Sequence, residues 1–78
     1  MHEWLERQAD AIAAATSVPR EDPQLAPEEI QTLLDLAAVA AHESGARTNA
    51  PLLCHLLGRA RTAGADLDEL AETVRSTS

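Results

Sequence analysis

Cys54 and His55 are the residues of this 78-residue chain whose types could form a metal site or a nucleophile with its base. A metal site needs several ligands that converge, and a thiol nucleophile needs a base directed at its sulfur. Adjacent side chains on a helix point about 100° apart, so Cys54 and His55 diverge. His2 and His42 fall on other predicted helices, and the sequence contains no Cys-x-x-Cys and no His-x-x-x-His. The sequence therefore predicts no metal site, no cofactor, no catalytic residue and no enzyme activity.

The second candidate for chemistry is the segment where one predicted helix ends at Gly45 and the next begins at Asn49. Arg47 and Asn49 lie at a helix N-terminus, whose unbonded N–H groups and dipole favour anions such as a phosphate or a carboxylate. A structural interpretation competes with this one: Arg47 pairs with Glu43 or with the last carbonyls of the first helix, and Asn49 caps the second. We favour the structural interpretation and retain His42, Arg47 and Asn49 as candidate ligand-binding residues.

Four amphipathic segments must position these residues. Alanine supplies much of the 45% apolar content, and Trp4 is the one aromatic residue, which favours helices over strands. The apolar spacing predicts helices over about 2–16, 27–44, 49–63 and 66–75. Pro19 and Pro23 interrupt the chain between the first two helices, whereas Gly45 and Gly64 end the second and third. The predicted fold is all-α: a small four-helix bundle, with a long Pro-containing loop between helices 1 and 2, in a single domain covering residues 1–78.

Two of these helices carry residues that a simple bundle leaves unexplained. Leu36 and Val39 form a second apolar flank on the helix over 27–44, which is either buried at the centre of the bundle or docks a partner. Central burial is the favoured interpretation. Gly58 lies inside the helix over 49–63, where glycine costs about 1 kcal/mol relative to alanine, and it lies with His55 and Arg59 opposite the leucines. The leucines and alanines expected to face inward are Leu52, Leu53, Leu56, Leu57, Ala60 and Ala63. The candidate partner surface consists of Leu36, Val39, His55, Gly58 and Arg59.

The charge of the chain restricts the class of partner. Its net charge is −7 and its arginines are scattered, so it repels nucleic acids and anionic membranes and suits a basic protein surface. No apolar run is long enough to cross a bilayer, and the N-terminus lacks the pattern of a signal peptide. A single cysteine forms no internal disulfide. We therefore expect a cytoplasmic protein that binds neither nucleic acid nor membrane.

One pattern of residues resembles a known family. It consists of Trp4-Leu5, Leu34-Asp35-Leu36-Ala37, Val39-Ala40-Ala41-His42, Arg47, Ala50-Pro51-Leu52 and Leu56-Leu57-Gly58. This pattern resembles a small uncharacterised helical domain of high-GC bacteria, found alone or fused to molybdenum cofactor guanylyltransferase and encoded near other molybdenum cofactor and formate dehydrogenase genes. The resemblance extends from about Trp4 to Gly64, and His55 stands where the family has an aromatic residue. The positions carried over from the family are His42, Arg47, Pro51, Leu52 and Gly58, none with a catalytic role.

The resemblance implies a context rather than a mechanism. Together with the charge and the apolar flank, it predicts a non-catalytic accessory or protein-interaction domain linked to molybdenum cofactor biosynthesis, with the guanylyltransferase as partner. One alternative is an anion- or nucleotide-binding helical module that uses Arg47. The other is a self-associating structural module, a homodimer that buries Leu36 and Val39.

Overall fold

The computed structural model describes residues 1–77 and contains four helices there. They are α1 (Glu3–Thr16), α2 (Pro27–Glu43), α3 (Asn49–Thr62) and α4 (Leu67–Thr77). The all-α class and the long loop between the first two helices are confirmed, and each predicted helix end lies within two residues of the observed one. The chain divides into two compact units, Met1–Ile30 and Gln31–Ser78, with the boundary inside α2. The assignment of the chain to a single domain stays a prediction.

In the first unit, α1 is capped at both ends by local groups. His2 precedes the helix, and its Nδ1 accepts a hydrogen bond of 3.0 Å from the backbone N–H of Trp4. Ser17 follows the helix in the left-handed conformation, with φ of 62°, and its N–H donates to the carbonyl of Ala13 at 3.0 Å. Both contacts satisfy backbone groups that a helix end leaves unbonded.

The loop that follows α1 is held by a single arginine. Arg20 donates from Nε to Asp10 at 2.5 Å, from Nη2 to Glu6 at 2.6 Å and from Nη1 to the side chain of Gln24 at 2.8 Å. The hydrogen bond to Asp10 raises the pKa of Arg20, partial desolvation opposes it, and the charges of Asp10 and Glu6 add to the rise. The planar guanidinium therefore ties the loop to two successive turns of α1.

The second unit has its core where α2, α3 and α4 meet. Leu36, Leu57 and Ala71 form a buried cluster, against which Leu33, Leu53, Leu70 and Val74 pack in part. Leu36 is 0% exposed, so its assignment to a partner surface is wrong. The favoured interpretation of Leu36, central burial, is confirmed, because residues of α3 and α4 cover it.

Short turns join the helices of the second unit. Gly45 has a φ of +73° after α2, which is the left-handed conformation that ends many helices. Before α4, a carboxylate oxygen of Asp66 accepts a hydrogen bond of 3.2 Å from the N–H of Glu69 and caps the helix. None of the helices in the described residues has both the length and the apolar character that crossing a membrane requires.

Candidate functional site

The outward side of α3 exposes two large apolar residues. Leu52 is 61% exposed and Leu56, one turn later, is 62% exposed. Both are expected from the sequence to face inward, and this expectation is wrong. Of the four leucines of α3, Leu57 is buried and Leu53 is half-buried. The neighbouring helices α2 and α4 therefore cover only part of the apolar arc of α3.

Three residues of the candidate partner surface lie together on α3, and of these three Gly58 lies farthest around the helix from the two leucines. His55, Gly58 and Arg59 line a shallow hollow of about 500 Å³ on α3, whose other lining residues are Cys54 and Thr62. A Cβ atom added to Gly58 would meet nothing within 4 Å, so this position is open from outside. We call Leu52, His55, Leu56, Gly58 and Arg59 the α3 surface. At 100° per residue they cover an arc of about 160° around the helix.

The α3 surface continues into an open groove. Leu52 and Leu56 line this groove with Val39 of α2 and Val74 of α4, and its volume is about 650 Å³. Val39, the remaining member of the candidate partner surface, thus borders the same apolar region. Helical spacing places Val39 on a flank of α2, and packing of the second unit brings it next to the leucines of α3.

The charge of α3 differs from that of the chain as a whole. The helix has no acidic residue, and Arg59 and Arg61 lie in its last turn. Among residues 1–77, no hydrogen bond or ion pair engages the side chain of Arg59 or of His55. A carboxylate of another molecule near Arg59 would meet no competing acid on α3. The surface therefore combines exposed apolar area with a guanidinium that no other described residue binds, and arginine is one of the residues enriched at protein interfaces.

The candidate groups for metal or thiol chemistry do not assemble. Cys54 is half-buried and free, and it lines the same hollow as His55. No hydrogen bond joins the two side chains. Within the part of the chain that the structure describes, no group of three or more His, Cys, Asp or Glu residues could hold a metal ion.

The candidate ligand-binding residues lie around the turn between α2 and α3 without forming a pocket. His42 and Arg47 are exposed, and neither side chain bonds to another described residue. Asn49 lines the groove. The N–H groups of Asn49 and Ala50 already donate to the carbonyls of Ala46 and Arg47, at 3.0 and 3.1 Å.

Pro51 at the next position has no N–H, so the first turn of α3 offers an anion few donors. The contacts that the structural interpretation of this turn requires are also absent from the described residues. Arg47 does not pair with Glu43, and no side chain caps α3 in the described residues.

Comparison with known proteins places the chain in a family. Neither the curated proteins nor the solved structures contain a match to it. One family model, described as a domain of unknown function, DUF6457, matches residues 1–78. The match covers every helix described above and fits the expectation of a small uncharacterised domain. The chain therefore belongs to the DUF6457 family.

Proposed function

We propose that this chain is a non-catalytic accessory domain that binds a protein partner through the α3 surface. The observation that carries the proposal is the exposure of Leu52 and Leu56 on adjacent turns of one helix. Single exposed apolar residues are normal on soluble proteins, whereas contiguous ones rimmed by polar groups mark interaction sites. Here the two leucines adjoin both the groove and Arg59.

The shape of the α3 surface supports contact with another protein. Gly58 removes a side chain at one edge of the surface, which lets a partner's helix or loop approach the backbone of α3 there. Leu52 and Leu56 provide apolar area at the other edge of the surface, and Arg59, between the two edges, provides a charge. The surface of one helix is small, so we expect a transient interaction unless the partner also enters the groove.

For the partner we propose the molybdenum cofactor guanylyltransferase. The support is the resemblance of the Trp4 to Gly64 pattern to a domain found fused to that enzyme. Fusion keeps two weakly interacting domains at high effective concentration, so a stand-alone version is expected to bind the same enzyme with modest affinity. The absence of acidic residues from α3 suits an acidic region on the enzyme.

Calorimetric titration of the purified guanylyltransferase with this chain tests the proposal. Leu56→Glu places a charge in the exposed apolar part of the α3 surface, and we expect it to weaken binding at least about tenfold. The matched control is Leu34→Glu, because Leu34 is also 62% exposed but lies on α2 and lines neither the groove nor the hollow. Circular dichroism checks that both variants keep their helices.

Two results would contradict the proposal. If the enzyme gives no binding heat with the wild-type chain at about 100 µM, the proposed partner is wrong. If Leu34→Glu and Leu56→Glu weaken binding equally, the α3 surface is not the contact.

A further inference from the structure

We propose that the partner places a single amphipathic helix along the groove, antiparallel to α3. Its acidic first turn meets Arg59, its aliphatic anchors meet the exposed leucines, and its basic last turn meets Glu43. The inference rests on the proposed function only in that a protein partner uses the α3 surface; it does not depend on which protein that is.

Four exposed side chains form a straight line along α3. Asn49, Leu52, Leu56 and Arg59 follow one another at intervals of three, four and three residues. At 100° per residue they lie within an arc of about 80°. Asn49, Leu52 and Leu56 line the groove, and Arg59 continues the line beyond Leu56. The line is therefore polar at both ends and apolar in the middle.

The two ends of this line differ in charge. Glu43, the last residue of α2, lines the groove together with Asn49, the first residue of α3. Arg59 lies at the other end of the line, about 15 Å from Asn49 along the helix axis. Within residues 1–77, no hydrogen bond or ion pair engages the side chain of Glu43 or of Arg59. A partner therefore meets an available carboxylate at one end and an available guanidinium at the other.

A helix is the element that matches this pattern. Acidic residues in the first turn and basic residues in the last turn stabilise a helix through its dipole. About three turns span the distance between the two charges, and aliphatic anchors three and seven residues after the acidic one face Leu56 and Leu52. Because the acidic start meets Arg59 and the basic end meets Glu43, the partner's helix runs antiparallel to α3.

The four helices of the described chain do not themselves match this pattern. The helix α1 has acidic residues in its first turn but no basic residue in its last turn, and α3 has no acidic residue in its first turn. The apolar sides of α2 and α4 are already used in the core, through Leu36 and Ala71. Neither the chain's own α1 nor that of a second copy therefore supplies both charges, and the occupant is a helix of another protein.

A synthetic peptide tests the charge pattern without the enzyme. The probe is an alanine-based helix of about sixteen residues with glutamate at its third position, leucine at the sixth and tenth, and lysine at the thirteenth. This order repeats the spacing of the line on α3. In an NMR titration of the ¹⁵N-labelled chain with up to about 1 mM peptide, we expect the amide signals of α3 and of the last turn of α2 to shift.

The matched control is the same peptide with its glutamate and lysine exchanged. We expect it to bind about fivefold more weakly, because both of its charges face like charges on the chain. Exchanging the charges of the chain, with Glu43→Arg and Arg59→Glu together, keeps the net charge at −7 and should reverse the preference. Because each peptide is then compared with itself, the reversal does not depend on how helical either peptide is. Circular dichroism checks that the exchanged chain keeps its helices.

Several outcomes would overturn the proposal. They are the absence of shifts with either peptide, equal binding of both peptides, and a preference that the exchanged chain retains. Nuclear Overhauser effects in the free protein that join the groove to another copy, or to residues 1–30, would overturn it as well, because the groove would then already be covered.

Titration of the guanylyltransferase separates this inference from the proposed partner. We expect the exchanged chain to bind the enzyme about fivefold more weakly than the wild type. If Leu56→Glu weakens enzyme binding but the exchanged chain binds as the wild type does, the proposed function stands and the charged helix is wrong. If the peptides behave as expected and the enzyme gives no binding heat, the proposed partner is wrong and the charged helix stands.

Discussion

Gly58 leaves a gap on the outward side of α3 where any other residue would place a side chain. Because an added Cβ meets nothing within 4 Å, Gly58→Ala introduces no clash and removes the entropic cost of glycine in a helix. We expect the variant to raise the free energy of unfolding by about 1 kcal/mol, measured by urea denaturation.

Gly58→Ala should also weaken binding of the proposed partner, because the added methyl group fills the gap through which the partner approaches α3. A variant with higher stability and lower affinity would separate the structural effect of Gly58 from its effect on binding. Lower stability would contradict the open space around position 58, and unchanged affinity would place the partner elsewhere on the helix.

Substitution of Arg47 tests the alternative that this chain binds a nucleotide. Two N–H groups of the first turn of α3 are bonded to the preceding turn, and Pro51 provides none, so the expected anion site lacks donors. We expect calorimetry with guanine nucleotides to show no binding heat for the wild type or for Arg47→Ala. Binding by the wild type that Arg47→Ala abolishes would favour the nucleotide-binding alternative.

At the scale of elements, the long loop after α1 depends on Arg20. Removing its guanidinium in Arg20→Ala breaks the contacts to Glu6, Asp10 and Gln24 together. We expect faster hydrogen exchange and faster proteolysis across residues 17–26, with exchange in α3 and α4 unchanged. Arg20→Lys keeps the charge but cannot reproduce three separate N–H contacts, so it should protect the loop only in part.

The pH dependence of this loop follows from the direction of the pKa shift. The pKa of Arg20 is raised in the folded state, so the folded chain holds this proton more tightly than the unfolded chain does. The contribution to stability is complete below the unfolded pKa and falls only as pH rises through the folded one, in strong alkali. Loop protection should therefore be equal at neutral and at mildly alkaline pH; a loss over that interval would contradict the role of Arg20.

For the molecule as a whole, stability depends on a small core. Leu36 is the largest fully buried side chain in the described residues, and it packs in one cluster with Leu57 and Ala71. We expect Leu36→Ala to cost about 2–5 kcal/mol, which would leave a chain of this size largely unfolded. Leu34→Ala is the control, because Leu34 is mostly exposed and its truncation should cost little. Thermal and urea denaturation followed by circular dichroism compare the two variants; an equal loss of unfolding free energy in both would contradict the burial of Leu36.

Local features of the sequence were sufficient to predict the four helices and the turns that separate them. Apolar spacing, proline and glycine act within a few residues along the chain, and the observed helix ends follow them closely. The cluster of His55, Gly58 and Arg59 was predictable for the same reason, because three residues on one turn of one helix must lie together.

Only the tertiary structure decided which apolar residues are covered. Helical periodicity gives the direction of a side chain around its own helix, but it does not say how much of a wide apolar arc the neighbouring helices reach. Packing of α2, α3 and α4 buries Leu36, which the sequence allowed on a surface, and it exposes Leu52 and Leu56, which the sequence directed inward. The partners of Arg20 lie 4 to 14 residues away and depend on the path of the loop. Contacts of this kind are set by packing and chain path, which no short sequence pattern contains.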